Sequence, residues 1–157
     1  TFEEIAEAIR QSIDHVRRIA RRLRPEALDD LGLVNALISL CRRIGQQSGI
    51  RIEPDLGHKV PSISPETELV IYRVAQESLT NAVRHAQASK ITLSLTTADD
   101  HLTLLVRDDG RGIDAPPSDD TAGVSGMRER ALLIGAQLKI RSHRGAGTEV
   151  QLDVPLH

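Results

Sequence analysis

The fold is decided around residues 76–86, which read Gln76-Glu77-Ser78-Leu79-Thr80-Asn81-Ala82-Val83-Arg84-His85-Ala86. Glu77, Asn81 and His85 recur every four residues, so a helix would align them along one face. The positions between them that would face a core are apolar. A carboxylate, a carboxamide and an imidazole in register can line a ligand site. Taken alone, the same pattern is more typical of the solvated face of an amphipathic helix.

Two segments farther along the chain favour a ligand site. Asp108-Asp109-Gly110-Arg111-Gly112 follows an alternating strand, and Gly123-Val124-Ser125-Gly126 comes just before another helical run. A carboxylate at a strand end can accept a hydrogen bond from an exocyclic amine such as that of adenine, and the glycines after it let the backbone approach a flat ring. Glycines before a helix leave free N–H groups for phosphates. The alternatives are a β-turn for the Asp-Gly pair and a flexible linker for the second segment.

The side chains of the first segment also suit a shared metal ion. Mg²⁺ prefers oxygen ligands, keeps several waters and is usually divided between a few protein groups and substrate phosphates. Asn81 offers a neutral oxygen for that role. Glu77, one turn earlier, could orient or deprotonate a metal-bound water. His85, one turn later, and Arg84 could contact a phosphate.

Composition excludes several classes of protein. The 157 residues suffice for one domain with a core, and 39% hydrophobic and 27% charged residues are ordinary for a globular chain. With one Phe, one Tyr and no Trp, the chain lacks the stacking platforms of single-strand nucleic-acid binders. A net charge of −2 provides no field for nucleic acid or an anionic membrane. We therefore expect no nucleic-acid partner and no direct membrane contact.

The single cysteine, Cys41, excludes an internal disulfide and a cysteine zinc cluster. Its neighbours Leu37, Ile38, Leu40 and Ile44 predict a buried, inert thiol.

Hydrophobic periodicity predicts the order αα-β-α-ββ-α-ββ. The first helix runs from about Phe2 to Leu23 and ends before Pro25, and an acidic connector over 26–32 leads to a second helix that closes near Gly45 or Gly49. A short edge strand over 50–53 stops at Pro54. Later elements are a helix from Pro65 to about Ala86, a pair of strands around 91–106, a helix over 127–136, and strands over 137–142 and 148–154. The predicted fold class is α+β, a two-layer α/β sandwich with a mixed sheet, preceded by a long N-terminal helix.

The first helix carries an apolar seam with little chain before it to pack against. The seam residues follow steps of three and four: Phe2, Ile5, Ile9, Ile13, Val16, Ile19 and Leu23. A missing partner helix, in the same chain or from a second subunit, is the simplest interpretation. Because the chain opens at Thr1 without Met, we expect it to be a fragment of a longer protein.

Together these motifs resemble the ATP-binding domain of sensor histidine kinases, which has the Bergerat or GHKL ATPase fold shared with gyrase and MutL. Leu23-Arg24-Pro25, Leu31-Gly32-Leu33 and Gly126-Met127-Arg128-Glu129-Arg130 further resemble the subfamily that serves response regulators of the LuxR/NarL type. The resemblance implies two parts: residues 1–25 as a partial second helix of the dimerisation and phosphoacceptor domain, and residues 26–157 as the catalytic ATP-binding domain.

The resemblance also implies the cofactors ATP and Mg²⁺ and a set of roles. Glu77 is the expected catalytic residue, Asn81 the expected Mg²⁺ ligand, and Asp108 the acceptor for the adenine amino group. The full set of expected nucleotide-binding residues is Asn81, Arg84, His85, Asp108, Gly110, Gly112, Ile113, Gly123, Val124, Gly126, Met127 and Thr148. The loop over 114–122 is expected to be a lid that settles over the phosphates.

Two departures from the family pattern stand out. Thr121 occupies a place where the family usually has another glycine. The phosphoacceptor histidine, followed by an acidic residue in a first dimerisation helix, is missing, and His15 is followed by Val16. The resemblance therefore implies a cytoplasmic kinase domain that binds ATP but does not phosphorylate itself, from a parent that is a homodimer through its dimerisation helices. The sequence leaves the parent's attachment to a membrane open.

Two other functions fit the same fold. One is an ATPase or serine-directed kinase of the anti-sigma-factor type, against which the heptad-like first helix argues. The other is an interaction module without nucleotide, against which the complete set of site residues argues.

Overall fold

Helices and strands follow one another in the order that the sequence predicts. The structure is a computed structural model, and it describes residues 1–22, 25–57, 60–85, 87–111 and 122–156. Side chains are described for the same residues except 14, 16–22 and 122. The elements are α1 (Phe2–Arg22), α2 (Glu26–Ser48), β1 (Arg51–Leu56), α3 (Pro65–His85), β2 (Lys90–Ala98), β3 (His101–Asp108), α4 (Ala122–Leu133), β4 (Gln137–His143) and β5 (Gly147–Pro155). The predicted order αα-β-α-ββ-α-ββ is confirmed.

The strands form a mixed sheet in the order β1-β2-β3-β5-β4. Only the β1–β2 pair is parallel among the described strands. Along β2 the buried residues Ile91, Leu93 and Leu95 alternate with more exposed polar ones, so one face packs against helices and the other faces solvent. The predicted two-layer α+β sandwich is confirmed.

Helix α3 lies at the centre of the helical layer, in contact with α2, α4 and the sheet. It begins where the sequence predicts, because the Ser64 hydroxyl accepts the Thr67 N–H at 3.1 Å and Pro65 needs no donor partner in the first turn. One face is core, with Ile71, Val74 and Leu79 fully buried. This packing fixes the direction of the opposite, polar face.

The connector over 26–32 was predicted to be an irregular segment, and this prediction is wrong. It is helical, and α2 starts at Glu26 and is interrupted at Gly32, whose φ of 78° and ψ of 170° are non-helical. Leu28 is 3% exposed, so burial of this side chain holds the connector against the core. The C-terminus of α2 is capped at Gly49, whose left-handed backbone lets its N–H reach the Gly45 carbonyl at 2.9 Å.

Two other boundaries also differ from the prediction. Strand β1 continues through Pro54 to Leu56, since an edge strand directs alternate N–H groups away from its partner and tolerates a proline there. Helix α4 begins at Ala122 rather than Met127 and ends at Leu133. The Gly123–Gly126 segment therefore belongs to the helix instead of preceding it.

The described side chains of α1 are exposed, apart from the half-buried Ala6. Among the seam residues, Phe2 is 86% and Ile5 is 61% exposed, so the described part of the predicted apolar seam, up to Ile13, is open to solvent. No helix in the described part of the chain is long and apolar enough to cross a bilayer.

Cys41 is 2% exposed, and burial raises the pKa of its thiol to about 11. The predicted burial of this thiol is confirmed, and its lack of reactivity stays a prediction.

Candidate functional site

The polar face of α3 presents its four predicted site residues along successive turns. Glu77 and Asn81 are half-buried, while Arg84 and His85 near the end of the helix are exposed. A half-buried carboxylate and carboxamide one turn apart remain open to a ligand from one side. Their roles stay predictions, and so does that of the exposed pair.

Asp108 lies at the end of β3 and is only 6% exposed. Its Oδ1 accepts the backbone N–H of Gly110 at 2.9 Å and that of Thr148 at 3.3 Å. These bonds fix the carboxylate between the turn after β3 and the start of β5. No described residue donates a hydrogen bond to Oδ2, since both bonds to this carboxylate are to Oδ1. It is positioned as a hydrogen-bond acceptor for a ligand.

Gly147 is a site residue that the sequence prediction missed. Its φ is +84°, and a Cβ placed on it would lie 2.0 Å from the Asp108 carbonyl oxygen and 3.1 Å from Oδ1. The first residue of β5 thus runs directly against the backbone of Asp108, which only glycine permits. The signal in the sequence is the Gly147-Thr148 pair, which is also typical of an ordinary hairpin turn.

The two neighbouring aspartates have opposite environments. Burial raises the pKa of Asp108, and the repulsive charge of Asp109 adds to this, while the N–H groups of Gly110 and Thr148 act in the other direction. The pKa of Asp109 is lowered, first by the Ser89 hydroxyl and then by the N–H groups of Lys90 and Ser89. Asp109 is therefore tied to the protein as an anion, and Asp108 is a buried carboxyl whose charge is poorly compensated.

We expect Asp108→Asn to stabilise the ligand-free chain at pH 7. The amide keeps the Oδ1 acceptor and removes a buried charge. Since the folded-state pKa of Asp108 is raised above 3.8, this carboxyl's contribution to stability is complete below that pH and is lost as the pH rises through the folded pKa. Urea unfolding from pH 7 towards pH 3.8 should show the advantage of the variant shrinking as the pH falls. A variant that is less stable by the same amount at every pH would contradict this assignment of the burial cost.

Glu77 and Gly123, predicted from separate segments, lie against each other. A Cβ added to Gly123 would be 2.2 Å from Glu77 Oε1, so the glycine makes room for the carboxylate at the start of α4. The next residue of α3, Ser78, donates its hydroxyl to the Val74 carbonyl at 2.7 Å, and the same oxygen lies 3.6 Å from Met127 Sδ. These contacts dock α4 on α3 beside the polar face.

On α4, the surroundings of three residues predicted to bind nucleotide differ from those that the sequence suggested. These residues are Val124, Gly126 and Met127. Val124 is 3% and Met127 is 1% exposed, so both side chains pack into the core. Because α4 begins at Ala122, its first four N–H groups belong to residues 122–125, and Gly126 lies beyond them. The expectation that both glycines precede the helix is therefore wrong, and Gly123 lies within its first turn. The roles of these residues in nucleotide binding stay predictions. Two further predicted positions, Gly112 and Ile113, lie outside the described residues, as do Thr121 and most of the 114–122 loop.

The donor set fits Mg²⁺ better than a tightly held structural metal. In residues 1–22, 25–57, 60–85, 87–111 and 122–156, no group of three His, Cys, Asp or Glu side chains is placed to hold a metal ion. A half-buried amide oxygen with a carboxylate one turn away suits an ion that takes its other ligands from water and substrate phosphates.

Comparison with known proteins agrees with this geometry. The profile of the family "Histidine kinase-, DNA gyrase B-, and HSP90-like ATPase" matches residues 66–157, from the first turn of α3 to the end of the chain. The signal transduction histidine-protein kinase/phosphatase UhpB of Salmonella typhimurium is 39% identical over 140 residues, which is 88% of this chain and 28% of that protein. The chain thus spans little more than a quarter of the length of this relative.

Solved structures show the same fold. The histidine kinase domain of the blue-light activated histidine kinase from Erythrobacter litoralis EL346 superposes with a TM-score of 0.67 at 28% identity, covering 79% of this chain and 61% of that one. The histidine kinase AdeS of Acinetobacter baumannii has a TM-score of 0.65 at 13% identity, covering 97% of this chain and 80% of that one, a likeness of fold alone. With the family profile matching more than half of its length, this chain belongs to the histidine kinase-, DNA gyrase B- and HSP90-like ATPase family.

Proposed function

We propose that this chain is the ATP-binding catalytic part of a two-component sensor histidine kinase. In the parent, the γ-phosphate of Mg-ATP passes to a histidine on the dimerisation helices and then to an aspartate of a LuxR/NarL-type response regulator. The 39% identity to a histidine kinase/phosphatase supports this choice within the family. The observation that carries ATP binding is the buried Asp108 carboxylate, held by two backbone N–H groups with one oxygen open.

Asp108 Oδ2 is suited to select adenine. An ionised carboxylate accepts strongly from an exocyclic amine, whereas guanine presents a carbonyl oxygen at the equivalent position and would be repelled. Because Oδ1 is fixed by Gly110 and Thr148, the carboxylate needs no rearrangement to receive the base. Preorganisation of this kind contributes to affinity by reducing the ordering cost of binding.

The phosphate end of the site lies along α3 and the start of α4. Asn81 would hold Mg²⁺, which supplies charge neutralisation on the phosphates when bound. Glu77 lies beside Gly123, close to the first-turn N–H groups of α4, which are unpaired donors suited to phosphate oxygens. Arg84, at the exposed end of the same face, would add positive charge, and His85 beside it would add a hydrogen bond to a phosphate. In this arrangement Glu77 orients the acceptor or a bound water, and the remaining groups position ATP.

The exposed seam of α1 supports the assignment of residues 1–25 to a partial dimerisation helix. Phe2, Ile5, Ile9 and Ile13 are each between 45% and 86% exposed along one helix. An apolar stripe of this length at spacings of three and four is typical of a helix that packs on partner helices. In the parent we assign it to a homodimer interface, with the ATP-binding unit following on the same chain.

Phosphoryl transfer tests this function. Incubated with γ-labelled ATP, residues 1–157 should not label themselves, because none of their six histidines is followed by Asp or Glu. A separate helical hairpin from a homologous kinase, carrying the phosphoacceptor histidine, should become labelled in its presence. The label should survive alkali and be lost in acid, as phosphohistidine is. Stoichiometric label on His15 would contradict the assignment of α1, and acid-stable label on serine would favour the serine-kinase alternative.

A chain that had kept the fold but lost nucleotide would behave differently. Binding of ATP to the folded state alone raises the free energy of unfolding by RT ln(1 + [ATP]/Kd), and the melting temperature rises with it. We expect such a shift with ATP and Mg²⁺. An unchanged melting temperature at millimolar ATP would favour an interaction module.

A further inference from the structure

The carboxylate of Asp109 ties together two parts of the site that are remote in sequence. Its Oδ1 accepts the N–H groups of Ser89 at 2.9 Å and Lys90 at 3.0 Å, and its Oδ2 accepts the Ser89 hydroxyl at 2.7 Å. The Asp109 N–H in turn donates to the Lys90 carbonyl at 3.2 Å. The two segments are therefore joined by hydrogen bonds in both directions: the Asp109 side chain accepts from Ser89 and Lys90, and the Asp109 backbone donates to Lys90.

The two segments joined in this way carry different halves of the nucleotide site. Asp109 follows Asp108 directly and precedes Gly110, whose N–H holds Asp108 Oδ1. Lys90 is the first residue of β2 and Ser89 immediately precedes it, four residues after His85 ends α3, the helix that bears Asn81. Ala88, immediately before Ser89, is 8% exposed and anchors this connection in the core. A shift at Asp109 would thus change the placement of the turn at Gly110 relative to α3.

We propose that Asp109 is a positioning residue for nucleotide binding: its carboxylate sets the Asp108–Gly110 turn against the end of α3, so that the adenine acceptor and the phosphate-binding face are held at a fixed separation. This inference rests on the proposed assignment of Asp108 to adenine. Asp109 itself is assigned no contact with the nucleotide, and its two oxygens accept hydrogen bonds from Ser89 and Lys90.

Variants at position 109 distinguish a positioning role of the Asp109 side chain from a requirement for its negative charge. An asparagine at 109 could keep Oδ1 on the two N–H groups and donate from its amide nitrogen to the Ser89 hydroxyl oxygen, since a hydroxyl can donate or accept. Asp109→Asn should therefore preserve the connection, whereas Asp109→Ala removes all three side-chain bonds. Ser89→Ala removes only the bond to Oδ2 and should have a smaller effect in the same direction.

The test is calorimetric titration of the chain with ATP and with GTP, in Mg²⁺, for Asp109→Ala, Asp109→Asn and Ser89→Ala. We expect Asp109→Ala to weaken ATP binding about tenfold, the scale of a small misplacement in a preorganised site, and to lower the ATP-to-GTP affinity ratio. Asp109→Asn should restore both values. The matched control is Asp55→Ala, which removes an exposed aspartate on β1 outside the site.

Each outcome decides the proposal. Parent-like affinity and base preference in Asp109→Ala would overturn it, and so would an Asp109→Asn variant as weak as Asp109→Ala. If Asp109→Ala does not fold, the decision passes to Ser89→Ala, which must lower the affinity ratio. Asp108→Asn is titrated in parallel: if it loses base preference while Asp109→Ala keeps it, only the positioning role fails. If Asp108→Asn also keeps its preference, the adenine assignment itself fails.

Discussion

Gly147→Ala should lower the free energy of unfolding by about 4 kcal/mol, from a left-handed backbone penalty of about 1–2 kcal/mol and an overpacking cost of similar or larger size. The added Cβ would lie 2.0 Å from the Asp108 carbonyl oxygen, a backbone atom that no rotamer change can move. Relief requires the start of β5 to separate from the end of β3, which would also stretch the Thr148 N–H bond to Asp108. Nucleotide binding should therefore be lost together with stability. Urea unfolding followed by circular dichroism measures the first effect.

Gly145→Ala is the matched control for that experiment. Gly145 has a similar φ of +78°, but nothing lies within 4 Å of the Cβ it would gain. Gly145→Ala should therefore lower the free energy of unfolding only by the left-handed backbone penalty, about 1 kcal/mol. Equal losses of stability in the two variants would show that contact with Asp108 is not the reason for glycine at 147.

Asn81→Ala should weaken Mg-ATP binding about 100-fold, the upper part of the range for disturbing a metal site, while ATP without Mg²⁺ binds the variant and the parent sequence alike. Asn81 is half-buried on the polar face of α3, so its truncation leaves the core of that helix intact. Calorimetric titrations with ATP in Mg²⁺ and in EDTA separate the two effects. The same dependence on Mg²⁺ in variant and parent would remove Asn81 from the metal.

Asn35→Ala provides the comparison for an asparagine outside the site. Asn35 is exposed on α2, and its amide donates to the Leu31 carbonyl at 3.2 Å. Its loss should leave Mg-ATP binding unchanged. A similar loss of affinity in Asn35→Ala would indicate a general effect on the fold rather than on the metal.

The sequence predicted the architecture because its periodicities were unambiguous. Alternation in Ile91, Leu93 and Leu95 placed β2 with one buried face, and Ser64 before Pro65 located the start of α3. Predicted boundaries of helices and strands were wrong where burial in the tertiary structure outweighed local sequence signals. Leu28 packs into the core and makes the acidic connector helical, although Gly32 still interrupts it.

The site was predictable in its residue types and less so in its contacts. Asp108 was identified from its place between a strand and two glycines, but no local pattern shows that Gly147, 39 positions later, would press on its backbone; that contact depends on the antiparallel pairing of β3 with β5. The same is true of Asp109, whose partners Ser89 and Lys90 belong to the neighbouring strand. Val124 and Met127 were selected from a motif, and the packing of α4 directs their side chains into the core.

The most direct test of the proposed Mg-ATP binding is a calorimetric titration of the unmodified chain with ATP, with and without Mg²⁺, and with GTP. The proposed function predicts one ATP per chain, tighter binding in Mg²⁺, and weaker binding of GTP, because guanine presents a carbonyl oxygen to Asp108 Oδ2 where adenine has its amino group. Absence of binding by the folded chain at millimolar ATP, or equal binding of ATP and GTP, would contradict it.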